Sequence, residues 1–183
     1  MKRSKYALLA LAGAVAVVAA LALPASADTS AWLHEGEPLE ESVELTTTGG
    51  EVIEVGGSVL VCQTNATIAT EGGSAAQITA YGVDKASCAG VVGPLEGCEV
   101  TAVTPKGLPW NVSVNASDLT VEEPQVAYWF DEACPVGELR TNFEALTLTP
   151  EEPSAISLFY FSQEGTAEVD GKAAAISYSG ALN

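Results

Sequence analysis

Cys62, Cys88, Cys98 and Cys134 are the residues of this 183-residue chain with the clearest covalent chemistry. An even set of cysteines in an exported chain forms disulfides, and four cysteines allow two bridges in three pairings. Their order along the chain points first to Cys88–Cys98, which closes the glycine-rich loop from Ala89 to Gly97, with Cys62–Cys134 tying distant strands. The other pairing that stays open is Cys62–Cys88 with Cys98–Cys134. On the chain-entropy model each bridge contributes about 3–4 kcal/mol. A metal centre is the weaker use of these thiols, because there is no Cys-x2-Cys pair and the single histidine, His34, lies beside an acidic segment.

Catalysis by a serine or cysteine nucleophile needs a histidine base. His34, between Leu33 and Glu35, reads as a solvated side chain near the mature N-terminus. No Gly-x-Ser-x-Gly elbow, phosphate-binding glycine loop or His-Glu-x-x-His is present. A glycosidase needs only two carboxylates at a set separation, and 24 acidic residues offer many candidates without singling out a pair. No catalytic residue is therefore assigned. The chain reads as a non-enzyme with no cofactor and no metal; a calcium loop of the Asp-x-Asp-x-Asp-Gly kind is also missing. Asn65, Asn111 and Asn115 begin sequons for N-glycosylation, but each lies in a run of small polar residues and reads as a chance match.

Val126-Ala127-Tyr128-Trp129-Phe130 places three aromatics in a row. Neighbours on a strand point opposite ways, so Tyr128 and Phe130 fill the core and Trp129 packs on the other side. The competing use is recognition, with Trp129 and Trp110 forming a flat platform for a sugar or an apolar ligand.

The elements that position these residues follow an export signal. Lys2, Arg3 and Lys5, the apolar run Ala7–Leu23, and Pro24-Ala25-Ser26-Ala27 have the order of a secretory signal peptide over residues 1–27. The mature chain is expected to begin near Asp28, with an acidic mobile lead-in over 28–44 and a single β domain over 45–183. No cysteine at the cleavage site calls for a lipid anchor. Cleavage removes three of seven basic residues and none of the 24 acids, which leaves four against 24 and moves the net charge from −17 to −20. Such a surface repels nucleic acid and anionic lipid and favours a soluble monomer. The expected location is outside the cell, free or loosely held at the cell wall.

After the signal, helix patterning is nearly absent and period-two alternation recurs. In Ser58–Thr70, Leu60, Cys62 and Thr64 share one face while Val59, Val61 and Gln63 share the other. Glycine turns follow at Glu71–Ser74 and around Pro105-Lys106-Gly107. Asp170-Gly171 joins Thr166–Val169 to Lys172–Leu182, and Asp-Gly suits the type I′ turn that matches strand twist. Nine to eleven short strands at this spacing predict an all-β antiparallel sandwich, Ig-like or related, with a barrel as the alternative. Val126–Phe130 and Ile156–Phe161, apolar on both faces, are expected as central strands.

The cysteine pattern, with Gly97-Cys98-Glu99-Val100-Thr101 running into Gly107-Leu108-Pro109-Trp110, resembles uncharacterised secreted β-rich proteins of actinobacteria from about Val59 onward. That resemblance implies an extracellular all-β protein and assigns no activity. Cys88-x9-Cys98 also has the spacing of a disulfide loop in the neocarzinostatin-type chromophore carriers, whose second, shorter loop is missing here; this resemblance supports the Cys88–Cys98 pairing. The functional expectation is a secreted, non-catalytic β scaffold with a structural, adhesive or binding role toward an extracellular partner or small ligand. The alternative is a carrier with an aromatic-lined cleft.

Overall fold

Strand residues bury every second side chain where one face meets a core. From Ser58 to Thr70 the inward set is Leu60, Cys62, Thr64, Ala66, Ile68 and Thr70, while Val61, Gln63 and Asn65 face out. The computed structural model describes residues 33–34, 37–38, 42–70, 75–115, 118–152 and 155–182. The signal segment 1–27 and most of the acidic segment 28–44 lie outside them, as does the glycine turn at 71–74. A two-residue pair, β1 (Leu33–His34) and β2 (Glu37–Pro38), stands apart from the main sheet. The rest follow as β3 (Val43–Val55), β4 (Ser58–Thr70), β5 (Ala75–Val92), β6 (Val100–Lys106), β7 (Trp110–Asn115), β8 (Asp118–Glu122), β9 (Gln125–Phe130), β10 (Glu138–Asn142), β11 (Ala145–Glu152), β12 (Ala155–Val169) and β13 (Lys172–Leu182). One 3-10 turn, Gly93–Leu95, interrupts them.

These strands form a single 11-stranded antiparallel sheet in the order β11-β8-β7-β5-β4-β3-β13-β12-β10-β9-β6. The two-sheet sandwich expected from strand spacing is therefore not the architecture. The physical reason lies in strand length. β5 and β12, at 18 and 15 residues, are long enough to change partners along their course. β12 pairs with β11 near its start, with β10 near its end and with β13 along most of its length, and β5 pairs with β7 only through Ala75–Ile78. Register irregularities between β4 and β5 and between β6 and β9 mark bulges, which bend a strand and increase its twist. The sheet curls strongly as a result, and β11, bonded to β8 on one side and β12 on the other, turns part of it back on itself.

The concave side holds the core. Ile53, Leu60, Leu95, Leu139 and Ile176 are fully or almost fully excluded from water, and Trp110, Val121, Leu148 and Phe161 fill the side toward β11. Where β3 meets β13 the backbones pass unusually close: a Cβ on Gly180 would collide with the Gly50 carbonyl and the Phe161 ring. At the β12–β13 hairpin, Asp170 and Gly171 both adopt positive φ (48° and 74°), as a type I′ turn requires. The Asp170 carboxylate also accepts hydrogen bonds from the Gly137 and Glu138 amides, each 2.9 Å, which fastens the hairpin tip to the start of β10.

The disulfides are Cys62–Cys88 and Cys98–Cys134, with Cα separations of 4.2 and 5.2 Å. The Cys88–Cys98 and Cys62–Cys134 pairing is thus replaced by the other one. Cys88 sits where β5 bulges: Val61 pairs with Ala89 but Gln63 pairs with Asp84, so Cys62 faces the excursion and its sulfur reaches Cys88 directly. Ser87 stitches the same bulge, accepting from the Gln63 amide (2.8 Å) and donating to the Asp84 carbonyl (2.6 Å). The loop from Ala89 to Gly97 needs no disulfide across it, because Gly97 N–H donates to Gly90 O and the buried Leu95 anchors its turn. Two disulfides suit an oxidising, extracellular-type environment. Among the described residues no helix is long and apolar enough to cross a membrane.

Candidate functional site

The most unusual group in the molecule is a carboxyl that alternation alone places inside. On β3 the buried positions are Glu51, Ile53 and Val55, so Glu51 occupies an inward site that an aliphatic residue would ordinarily take. It is 1% exposed. Tyr128 Oη on β9 donates to its Oε1 at 2.7 Å. Tyr178 Oη on β13 and Tyr81 Oη on β5 donate to its Oε2 at 2.6 and 2.8 Å. The Tyr81 and Tyr178 hydroxyls lie 3.5 Å apart. Three strands that are far apart in sequence therefore converge on one side chain carried by a fourth.

The electrostatics follow from burial. Loss of water raises the Glu51 carboxyl above the ordinary carboxylate range, and the three tyrosine hydrogen bonds oppose that rise without cancelling it. All three phenols are pushed well above the usual tyrosine value, first by burial and then by the adjacent Glu51 charge. The hydroxyls therefore stay protonated and act as donors. Around the centre the rings pack on one another: Phe143 and Phe161 lie 5.1 and 4.8 Å from the Tyr178 ring, and Trp110 lies 5.4 Å from Tyr81. Beside them is a cavity of about 40 Å³ lined in part by Thr64, Ile78, Tyr81, Trp110 and Tyr178. That is space for a water molecule or a few, well below the roughly 300–1,000 Å³ of a ligand pocket.

The two tryptophans of the proposed platform do not meet. Trp110 is buried, 4% exposed, and its Nε1 donates to the Lys106 carbonyl at 2.7 Å. Trp129 is half-buried on the outward side of β9, and the ammonium of the same Lys106 lies 5.9 Å from its ring centroid. Lys106 thus binds one indole through its backbone and the other through its charge. Tyr128 and Phe130 point inward, opposite to Trp129. The side chain of His34 and residues 116–117 of the last sequon lie outside the described residues. Cys98, Asp131 and Cys134 cluster closely enough to suggest a metal set. Both thiols are spent in the disulfide, and the Asp131 carboxylate instead accepts from Glu99 N–H.

No protein family, curated protein or solved structure matches this chain. The site must therefore be read from its own chemistry. Glu51 was missed in the sequence because it is one of 24 acidic residues and stands in the ordinary company of Gly49, Gly50 and Val52. One signal was present: Glu51, Ile53 and Val55 share the parity of an inward face, which sets a carboxyl in line with two aliphatic core positions.

The outer face offers a different surface. An open groove of about 920 Å³ runs across β4, β3, β13 and β12 toward β11. Val61, Val52, Ser179 and Ser162 line it as one cross-strand row, with Thr147 and Thr149 along its side, and Glu51 and Phe161 border it from the core side. Neither tryptophan reaches it.

Proposed function

We propose that the protein is an exported, non-catalytic β scaffold whose role is structural, adhesive or binding, with an extracellular partner met at its surface. The observation that carries this reading is the filled interior. Side chains from three strands converge on Glu51, and the cavity beside them holds about 40 Å³, too little for a chromophore or a sugar. The Glu51 carboxyl is committed to three hydroxyls, its cross-strand neighbour Cys62 is held in a disulfide, and among the described residues no histidine or second carboxylate hydrogen-bonds to it, so it lacks the paired groups that general acid–base work uses. A carrier would have to use the outer groove, which is shallow and lined chiefly by small and hydroxyl side chains. The excess of acidic residues keeps such a scaffold soluble and away from nucleic acid.

Isothermal titration calorimetry with small apolar compounds and neutral sugars tests this reading at the inner cavity and the outer groove alike. No saturable heat is expected. Saturable binding that disappears in Val61→Asp, which places a charge in the outer groove, with the unfolding midpoint unchanged, would favour the carrier instead. Recovery of protein beginning near Asp28 from the culture medium would support export, and recovery only of chains with Met1 intact would count against it.

A further inference from the structure

Three oxygens of the Glu51 centre form a closed triangle. Oε2 lies 2.8 Å from Tyr81 Oη and 2.6 Å from Tyr178 Oη, and the two hydroxyls are 3.5 Å apart. When the carboxylate is charged, both hydroxyls donate to Oε2 and the third side of the triangle carries no proton. When Oε2 is protonated, the ring can run one way round: Tyr81 donates to Oε2, Oε2–H donates to Tyr178, and Tyr178 donates to Tyr81. Every polar hydrogen is then directed at an acceptor in either state, and Tyr128 continues to donate to Oε1. A buried polar group left unsatisfied costs about 1–3 kcal/mol; this geometry avoids that cost before and after the proton arrives.

From this arrangement we propose that Glu51 is a proton-loading site, and that its hydroxyl ring re-points on protonation so that the scaffold tightens as its surroundings acidify. The groups facing Glu51 are Tyr81 from β5, Tyr128 from β9 and Tyr178 from β13; Cys62, its register partner on β4, is held in a disulfide. On β3 itself the nearest acid, Glu54, is exposed on the opposite face. No lysine, arginine or histidine among the described residues contributes to the Glu51 equilibrium, and burial raises its proton affinity. Tyr81 is the least buried of the three phenols, and Glu51 itself is among the residues that border the open outer groove.

The test is carbon-13 NMR of the glutamate carboxyl groups in the intact disulfide-bonded protein, followed across pH. One glutamate resonance should titrate above all the others and be lost in Glu51→Gln. Tyr128→Phe, which removes a donor to the charged form from outside the ring, should move that midpoint further upward and can be read even if Glu51→Gln fails to fold. Glutamates that all titrate together in the ordinary range would overturn the proposal, as would a distinct resonance that Tyr128→Phe leaves in place.

Discussion

Glu51 and Ile53 stand two residues apart on one strand, face the same way and are equally buried, yet they stabilise the molecule by opposite physics. Ile53 pairs across the sheet with Leu60 on one side and Tyr178 on the other, and the transfer of its side chain out of water is favourable at any pH. Glu51 pairs with Cys62 and Gly180 and is tolerated only because three phenols satisfy it. The apolar position stabilises by excluding water from a surface. The polar one fixes which strands meet, because only Tyr81, Tyr128 and Tyr178 together satisfy the carboxyl. The lesson is that equal burial says nothing about tolerance: one site accepts any residue of suitable volume, and the other accepts almost none.

Substitutions can break that contrast in order of expected size. Glu51→Leu should be the most damaging, because it leaves the buried Tyr128 and Tyr178 hydroxyls without their acceptor. We expect a loss of about 3–5 kcal/mol in denaturant unfolding. A cost below about 1 kcal/mol would mean that the centre is replaceable by packing. The Cys62→Ala, Cys88→Ala pair comes next, at about 3–4 kcal/mol from the released loop. Cys62 faces Glu51 across the β3–β4 ladder, so its loss should also speed hydrogen exchange at Gln63 and Ala89 more than at Leu139. Tyr128→Phe removes a single hydroxyl from a retained ring, with an expected cost of about 1–2 kcal/mol. Ile53→Val should cost only about 0.5–1.5 kcal/mol, and by the same amount at every pH tested.

Much of the apolar framework was legible before the fold was known. The faces of Ser58–Thr70, the inward Tyr128 and Phe130 with Trp129 opposite, and the Asp170-Gly171 hairpin all follow from period two and turn chemistry. What could not be read was closure. Strand spacing reports how many strands exist, but whether they split into two sheets or curl as one depends on where β5 and β12 change partners, which is a long-range choice. The disulfides failed to read for a related reason: Cys88 approaches Cys62 through a bulge whose position is set by the β4–β5 register. The Glu51 centre was the least visible of all. Its three partners come from residues 30, 77 and 127 positions away, and the one local sign is that Glu51 shares its parity with Ile53 and Val55.

The most direct measurement of this account is the unfolding free energy of the wild-type protein and Glu51→Gln as a function of pH. Both carry the same remaining acids, so the general relief of charge repulsion in acid cancels in their difference. The folded state holds the Glu51 proton more tightly than the unfolded chain does. Its contribution is therefore complete below the ordinary glutamate range and is lost as pH rises through the raised folded value. The advantage of wild type over Glu51→Gln should be greatest in acid, shrink as pH rises from the ordinary glutamate range through the raised folded value, and level off above it. A difference that stays flat with pH, or that grows as pH rises, would contradict a carboxyl buried for its proton.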